Sequence, residues 1–128
     1  MAFWAVIGYE NIYDGLHGMQ EIDILEGTED AAYERAIELS YNVITSYDDI
    51  IDILEEEVKD LCDYNEIDYE DEDNEDEIEN FRTRVYDEDI VTECIELDTT
   101  KLPTLNLDKL YNMFYNTPHD FLEKYSLK

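Results

Sequence analysis

Ten of the fifteen residues from Glu66 to Asn80 are Asp or Glu, and none is Lys or Arg. Carboxylates at that density can bind a divalent cation, move protons, or present a fixed array of negative charge. A calcium loop of EF-hand type needs oxygen ligands at set positions, a glycine at the sixth and a glutamate at the twelfth. Counted from Asp68, residues Glu70, Glu72 and Glu79 fall roughly on ligand positions, but Asp73 holds the glycine position and no register supplies that glycine. A dedicated calcium site is therefore not expected, only weak association of Ca²⁺ or Mg²⁺. A zinc site would have to draw on Cys62, Cys94, His17 and His119, which lack the paired short spacings of zinc motifs. His17 reads as a loop residue and His119 as a first-turn helix residue. Paired carboxylates occur so often that no acid–base pair stands out. The sequence has no phosphate-cradling glycine loop, nucleophile elbow or nucleotide fingerprint. Neither catalysis nor a cofactor is expected.

The third kind of chemistry fits better. Of the 36 acidic residues, 24 lie between Asp48 and Asp98, so the run is the peak of a broader negative surface. Carboxylates one helical turn apart sit about 6 Å apart along the axis, and alternate strand residues about 6.5 Å apart. Both spacings are comparable to that of successive phosphates along a nucleic-acid strand. The candidate phosphate-mimicking residues are Asp49, Asp52, Glu56, Asp60 and Asp63 on an expected helix. To these the run adds Asp68, Glu70, Asp71, Glu72, Asp73, Glu75, Asp76 and Glu77. Tyr64 and Tyr69, set among the acids, are candidate aromatic anchors. Tyr69 and Ile78 read equally well as residues that tuck the segment onto the core. Taken alone, 64–80 reads as a mobile, solvated loop.

The formal charge is −28, from 36 acidic and 8 basic residues. Such self-repulsion opposes compaction and far exceeds the charge of about 2–8 that solubility asks of a small domain. Its sign argues against direct contact with nucleic acid or anionic membranes, which need a basic footprint. At 128 residues, 44% of them hydrophobic, the chain suits one compact domain with a real core. Phe3–Ile7 is too short for a secretory h-region and no stretch has the length of a membrane span, so a cytoplasmic location is expected. Cys62 and Cys94 read as reduced core thiols, with a single disulfide left open.

In size, acidity and α+β texture the whole chain resembles small acidic DNA-mimic proteins, many of them phage-encoded, including anti-CRISPR and anti-restriction inhibitors. That resemblance implies a non-enzymatic inhibitor acting in the host cytoplasm. Its partner would be a basic nucleic-acid-binding protein or ribonucleoprotein, a Cas effector or a restriction enzyme. An acidic chaperone or adaptor that holds a basic protein without blocking nucleic acid is the alternative. A third reading, an enzyme or small-molecule-binding protein whose acidity is incidental, for example an adaptation to salt, fits less well with charge concentrated after residue 47.

These residues need elements to hold them. Phe3–Tyr9 is a short apolar and aromatic run, and Gln20–Glu26 alternates imperfectly; both predict strands, joined through the turn formers of Asn11–Gly18. Thr28 predicts a helix cap, followed by apolar positions Ala32, Ala36, Leu39 and Val43. Ser46 and Asp49 resemble a second cap, so either two helices meet near Thr45–Ser46 or one bends there. Ile50, Ile51, Leu54, Val58 and Leu61 line the second segment. Arg82–Tyr86 and Ile90–Leu97 look extended. Leu107, Leu110, Tyr111, Phe114 and Tyr115 predict a helix, and Thr117-Pro118 starts the last one. The expected fold is α+β, with a small antiparallel β-sheet packed against helices in the order β-β-α-α-(acidic loop)-β-β-α-α.

Overall fold

A computed structural model describes residues 2–12 and 20–127. The elements are β1 (Ala2–Glu10), β2 (Gln20–Gly27), α1 (Glu29–Ser46), α2 (Asp48–Tyr64), α3 (Glu75–Asp89), β3 (Ile90–Glu96), α4 (Leu107–Asn116) and α5 (Pro118–Tyr125). Most of the expected connection between the first two strands, His17 included, lies outside the described residues. The sheet is antiparallel in the order β2-β1-β3, with Ala5 opposite Ile24 on one side and Ile95 on the other. Among the described residues no helix is long and apolar enough to cross a membrane.

β1 is covered on both faces, which is why Phe3 to Gly8 reads as an unbroken apolar run. Phe3, Ala5 and Ile7 point to one side, packing with Leu110, Phe114 and Phe121 of α4 and α5. Trp4 and Val6 point to the other, against Ala32, Ala36 and Leu39 of α1. Thr28 caps α1, its Oγ1 accepting from the Ala31 N–H at 3.1 Å. Tyr47, in extended backbone, ends α1 and opens α2, so two helices meet here. The Ser46 hydroxyl does not cap α2; it donates back to the Asn42 carbonyl. Thr117, with Pro118 after it at the start of α5, likewise directs its hydroxyl backward, to the Met113 carbonyl at 3.2 Å.

The expected order fails in one place. Residues 75–80 are not loop and 82–86 are not strand: both belong to α3, preceded by a single 3₁₀ turn at Glu72–Asn74. The chain therefore carries three strands and five α-helices among the described residues, not four and four. Ile78, Phe81, Val85 and Tyr86 recur at helical spacing and pack on α2. Glu75, Asp76 and Glu77 occupy the first turn of α3, where the helix dipole favours anions. Helical periodicity prevails over the β-propensity of Thr83, Val85 and Tyr86.

A second core lies between the two helices of this acidic half. It joins Ile44 of α1, Ile50, Leu54, Val58 and Cys62 of α2, and Ile78 and Val85 of α3. Cys62 is buried there and Cys94 packs beside the α1 cluster; both are free thiols. Arg82 ties the half together. Its guanidinium bonds Glu55 of α2 at 2.9 Å, Glu79 one turn before it, and the Tyr69 hydroxyl at 3.4 Å. Burial, with the nearby Glu55 charge, pushes the Tyr86 phenol up to about 12.

Arg82→Leu would leave Glu55 half-buried without its cation. Breaking a fully buried pair costs about 3–5 kcal/mol; with a quarter to a third of each side chain exposed, about 2 kcal/mol is expected. Urea unfolding checks this, and Arg82→Lys should recover only part of the loss because the fork geometry is gone.

Candidate acidic interface

Along α2 the residues Ile50, Leu54, Val58 and Cys62 turn inward and are buried. At 100° per residue, Asp49, Asp52, Glu56, Asp60 and Asp63 fall on the opposite side, and all five are exposed. They form one stripe about 21 Å long at 1.5 Å per residue. Its mean axial spacing of about 5 Å compares with one phosphate per about 3.4 Å of axis along each strand of duplex DNA. The stripe is somewhat sparser than one strand, and it is rigid. It also works against the helix itself: α2 has no basic residue in its last turn, where Asp63 faces the negative end of the dipole.

The chain leaves α2 through a left-handed residue, Glu66, at φ 59°, and the Ile67 N–H donates to the Cys62 carbonyl at 2.8 Å. Two of the acids then shape backbone. Asp68 accepts from the Glu70 N–H and Asp71 from the Asp73 N–H, each at 3.0 Å. All eight candidate acids of 68–77 are exposed. Tyr64 stands clear of the core, 87% exposed. Tyr69 and Ile78 instead pack on the second core. The Tyr69 hydroxyl donates to Glu55 at 3.2 Å, and Lys59 Nζ lies 5.3 Å from its ring centre.

Among the described residues, none of the thirteen candidate acids is within ion-pair distance of a cation. The pairs formed by Arg35, Arg82, Arg84, Lys101 and His119 go to Asp23, Glu38, Glu55, Glu79, Glu88, Asp98 and Glu123. Nor is there, among the described residues, a group of three His, Cys, Asp or Glu side chains arranged to hold a metal ion.

One acid has a different environment, and charge counting alone does not find it. Asp89, the last residue of α3, is 5% exposed, and its Oδ2 is buried without a hydrogen-bond partner. Burial, reinforced by the charges of Glu10 and Glu57, pushes its carboxyl up to about 6, against the pull of backbone hydrogen bonds from Asn11 and Ile12. The sequence does carry a signal: Asp89 is in phase with Ile78, Val85 and the other inward residues of α3. It lines a cleft of about 430 Å³ with Asn11, Ile12, Ile53, Leu54, Glu57, Val85 and Glu88.

A carboxyl raised on folding binds more protons in the native state, so its contribution to stability falls as pH rises. The loss begins near the unfolded value of about 3.9 and is complete above the folded value of about 6. Asp89→Asn removes the titration but leaves an amide N–H₂ to place. The variant should be about 1 kcal/mol less stable than wild type near pH 3, where the amide N–H₂ is the main difference, and exceed it by about 2 kcal/mol above pH 7. Urea unfolding across that pH range reads the difference directly. Compared with known proteins, the chain matches no family model, no curated protein and no solved structure.

Proposed function

We propose that this protein is a non-enzymatic inhibitor that occupies the basic nucleic-acid channel of a nuclease or ribonucleoprotein, a Cas effector or restriction enzyme. The α2 stripe and the 68–77 segment stand in for phosphates. One observation carries the reading: thirteen exposed carboxylates share adjoining elements while the paired cations neutralise other acids. Leaving them unpaired has a stability cost through mutual repulsion, and a basic partner would remove it. Binding would be fast, steered at long range and weakened by salt. Each exposed contact contributes about 0.2–1 kcal/mol, so strength comes from number and geometry.

Immobilised protein should retain, from a lysate containing such effectors, a nuclease or nucleic-acid-bound complex identified by mass spectrometry. Excess duplex DNA should release it. A basic partner that stays bound under excess DNA would instead support the adaptor alternative and overturn mimicry.

A further inference from the structure

The cleft beneath the α2–α3 seam differs chemically from the acidic surface around it. Its walls, Ile12, Ile53, Leu54 and Val85, are apolar, and Asp89 lines it from a buried position. Glu57 and Glu88 are exposed at its mouth. A second cleft of about 370 Å³ shares Glu57, Val85 and Glu88 and is lined also by Asp60 of the α2 stripe. The groove is thus continuous with the acidic interface. Asp89 Oδ2 has no donor, an arrangement that protein interiors rarely leave in place.

We propose that this cleft receives one lysine-type alkylammonium side chain of the partner, its stem lying along the apolar walls and its N–H groups pairing with the Asp89 carboxylate once a local side-chain shift uncovers Oδ2, which is sealed from solvent in the unbound chain, with Glu57 and Glu88 completing the negative rim. Apolar walls with a carboxylate within suit a long side chain that carries its charge at the tip. One free oxygen suits an ammonium; the guanidinium fork is best matched by two parallel acceptors. The charged groups around the site are Glu10 at the end of β1, Glu57 of α2, and Glu88 and Arg84 of α3. Arg84 lies in the adjoining cleft and pairs with Glu88 at 3.6 Å. The proposal rests on the reading of a basic partner, but the site can be tested without one.

The probe is n-butylammonium, titrated into the full chain and followed by carboxyl ¹³C and methyl NMR. Its comparator is n-butyltrimethylammonium, which has the same stem and charge and no N–H. The primary ammonium should shift the Asp89 carboxyl and the methyls of Ile12, Ile53 and Val85, and lower the Asp89 apparent pKa from about 6. The trimethyl analogue should do so at least tenfold more weakly. Asp89→Asn should abolish the shifts, and the exposed pair Glu57→Gln/Glu88→Gln should weaken them about fivefold. Equal effects from the two amines, or shifts that survive Asp89→Asn, would mean diffuse counterion association and overturn the proposal. Tighter binding of n-butylguanidinium would overturn the choice of lysine. If the amine binds as expected but no DNA-releasable partner is recovered, the inhibitor reading fails and the cleft stands.

Discussion

Gly8→Ala is expected to be the most destabilising single substitution in the sheet, at about 4 kcal/mol or more. A methyl group built on Gly8 would collide with the Ser40 backbone nitrogen and stand 2.7 Å from both the Ala36 oxygen and the Leu39 carbonyl carbon. Every one of these atoms is backbone, so no side-chain rotation can clear the space. β1 must move away from α1, and the junction that depends on their approach would be lost. The buried Ser40 hydroxyl donates to the Tyr9 carbonyl at 2.7 Å and accepts from the Val91 N–H at 3.2 Å, so one side chain joins α1 to β1 and β3. Overpacking costs about 1–3 kcal/mol or more, and strained or broken buried hydrogen bonds add to it. Native stabilities run to about 5–15 kcal/mol, so the variant should show a large fall in the urea midpoint. Ser40→Ala keeps the close approach and removes the bonds, and about half that loss is expected. An unchanged midpoint for Gly8→Ala would mean that β1 can slide off α1 without penalty.

That contact also marks where sequence reading stops. Gly8 appears in the sequence only as part of an apolar strand; nothing in its neighbours announces a helix backbone lying against it. The strands themselves were legible because their apolar runs are short and bounded: Phe3–Tyr9 is observed as Ala2–Glu10, and Gln20–Glu26 as Gln20–Gly27. The Thr28 cap was legible because a hydroxyl before two acids and an apolar stripe has a local physical cause. α3 was hidden for a related reason. Its inward apolar positions are Ile78, Phe81, Val85 and Tyr86, diluted among carboxylates that satisfy any solvated conformation. The acidic stripe of α2 was readable from spacing, whereas for Asp89 the helical phase with Ile78 and Val85 gives only an inward direction, and its burial depends on the long-range arrival of Asn11 and Ile12 after β1.

The acidic surface and the fold make opposite demands, and this gives the largest functional prediction. Neutralising the α2 stripe, as Asp49→Asn/Asp52→Asn/Glu56→Gln/Asp60→Asn/Asp63→Asn, lowers the formal charge of −28 by five units. Asp49 sits in the favourable first turn of α2 and Asp63 at its unfavourable end, so their dipole terms of about 0.3–1 kcal/mol roughly cancel. Reduced repulsion should leave the variant at least as stable as wild type. If the stripe replaces phosphates, five lost contacts of about 0.5 kcal/mol each should weaken target binding about 100-fold and flatten its salt dependence. The matched control is Glu70→Gln/Glu72→Gln/Asp73→Asn, which leaves the turn-forming Asp68 and Asp71 and the first turn of α3 intact. With fewer charges removed, it should lose about 10-fold. Inhibition and binding measured at two salt concentrations decide the matter. A stripe variant that is stable yet binds as tightly as wild type, with the same salt dependence, would remove α2 from the interface. A control that loses more than the stripe variant would move the centre of recognition to residues 70–73. The predicted ranking follows from number: five charges removed against three, at about the same 0.5 kcal/mol each, so a control that lost more than the stripe variant would show that its charges meet the partner in better geometry.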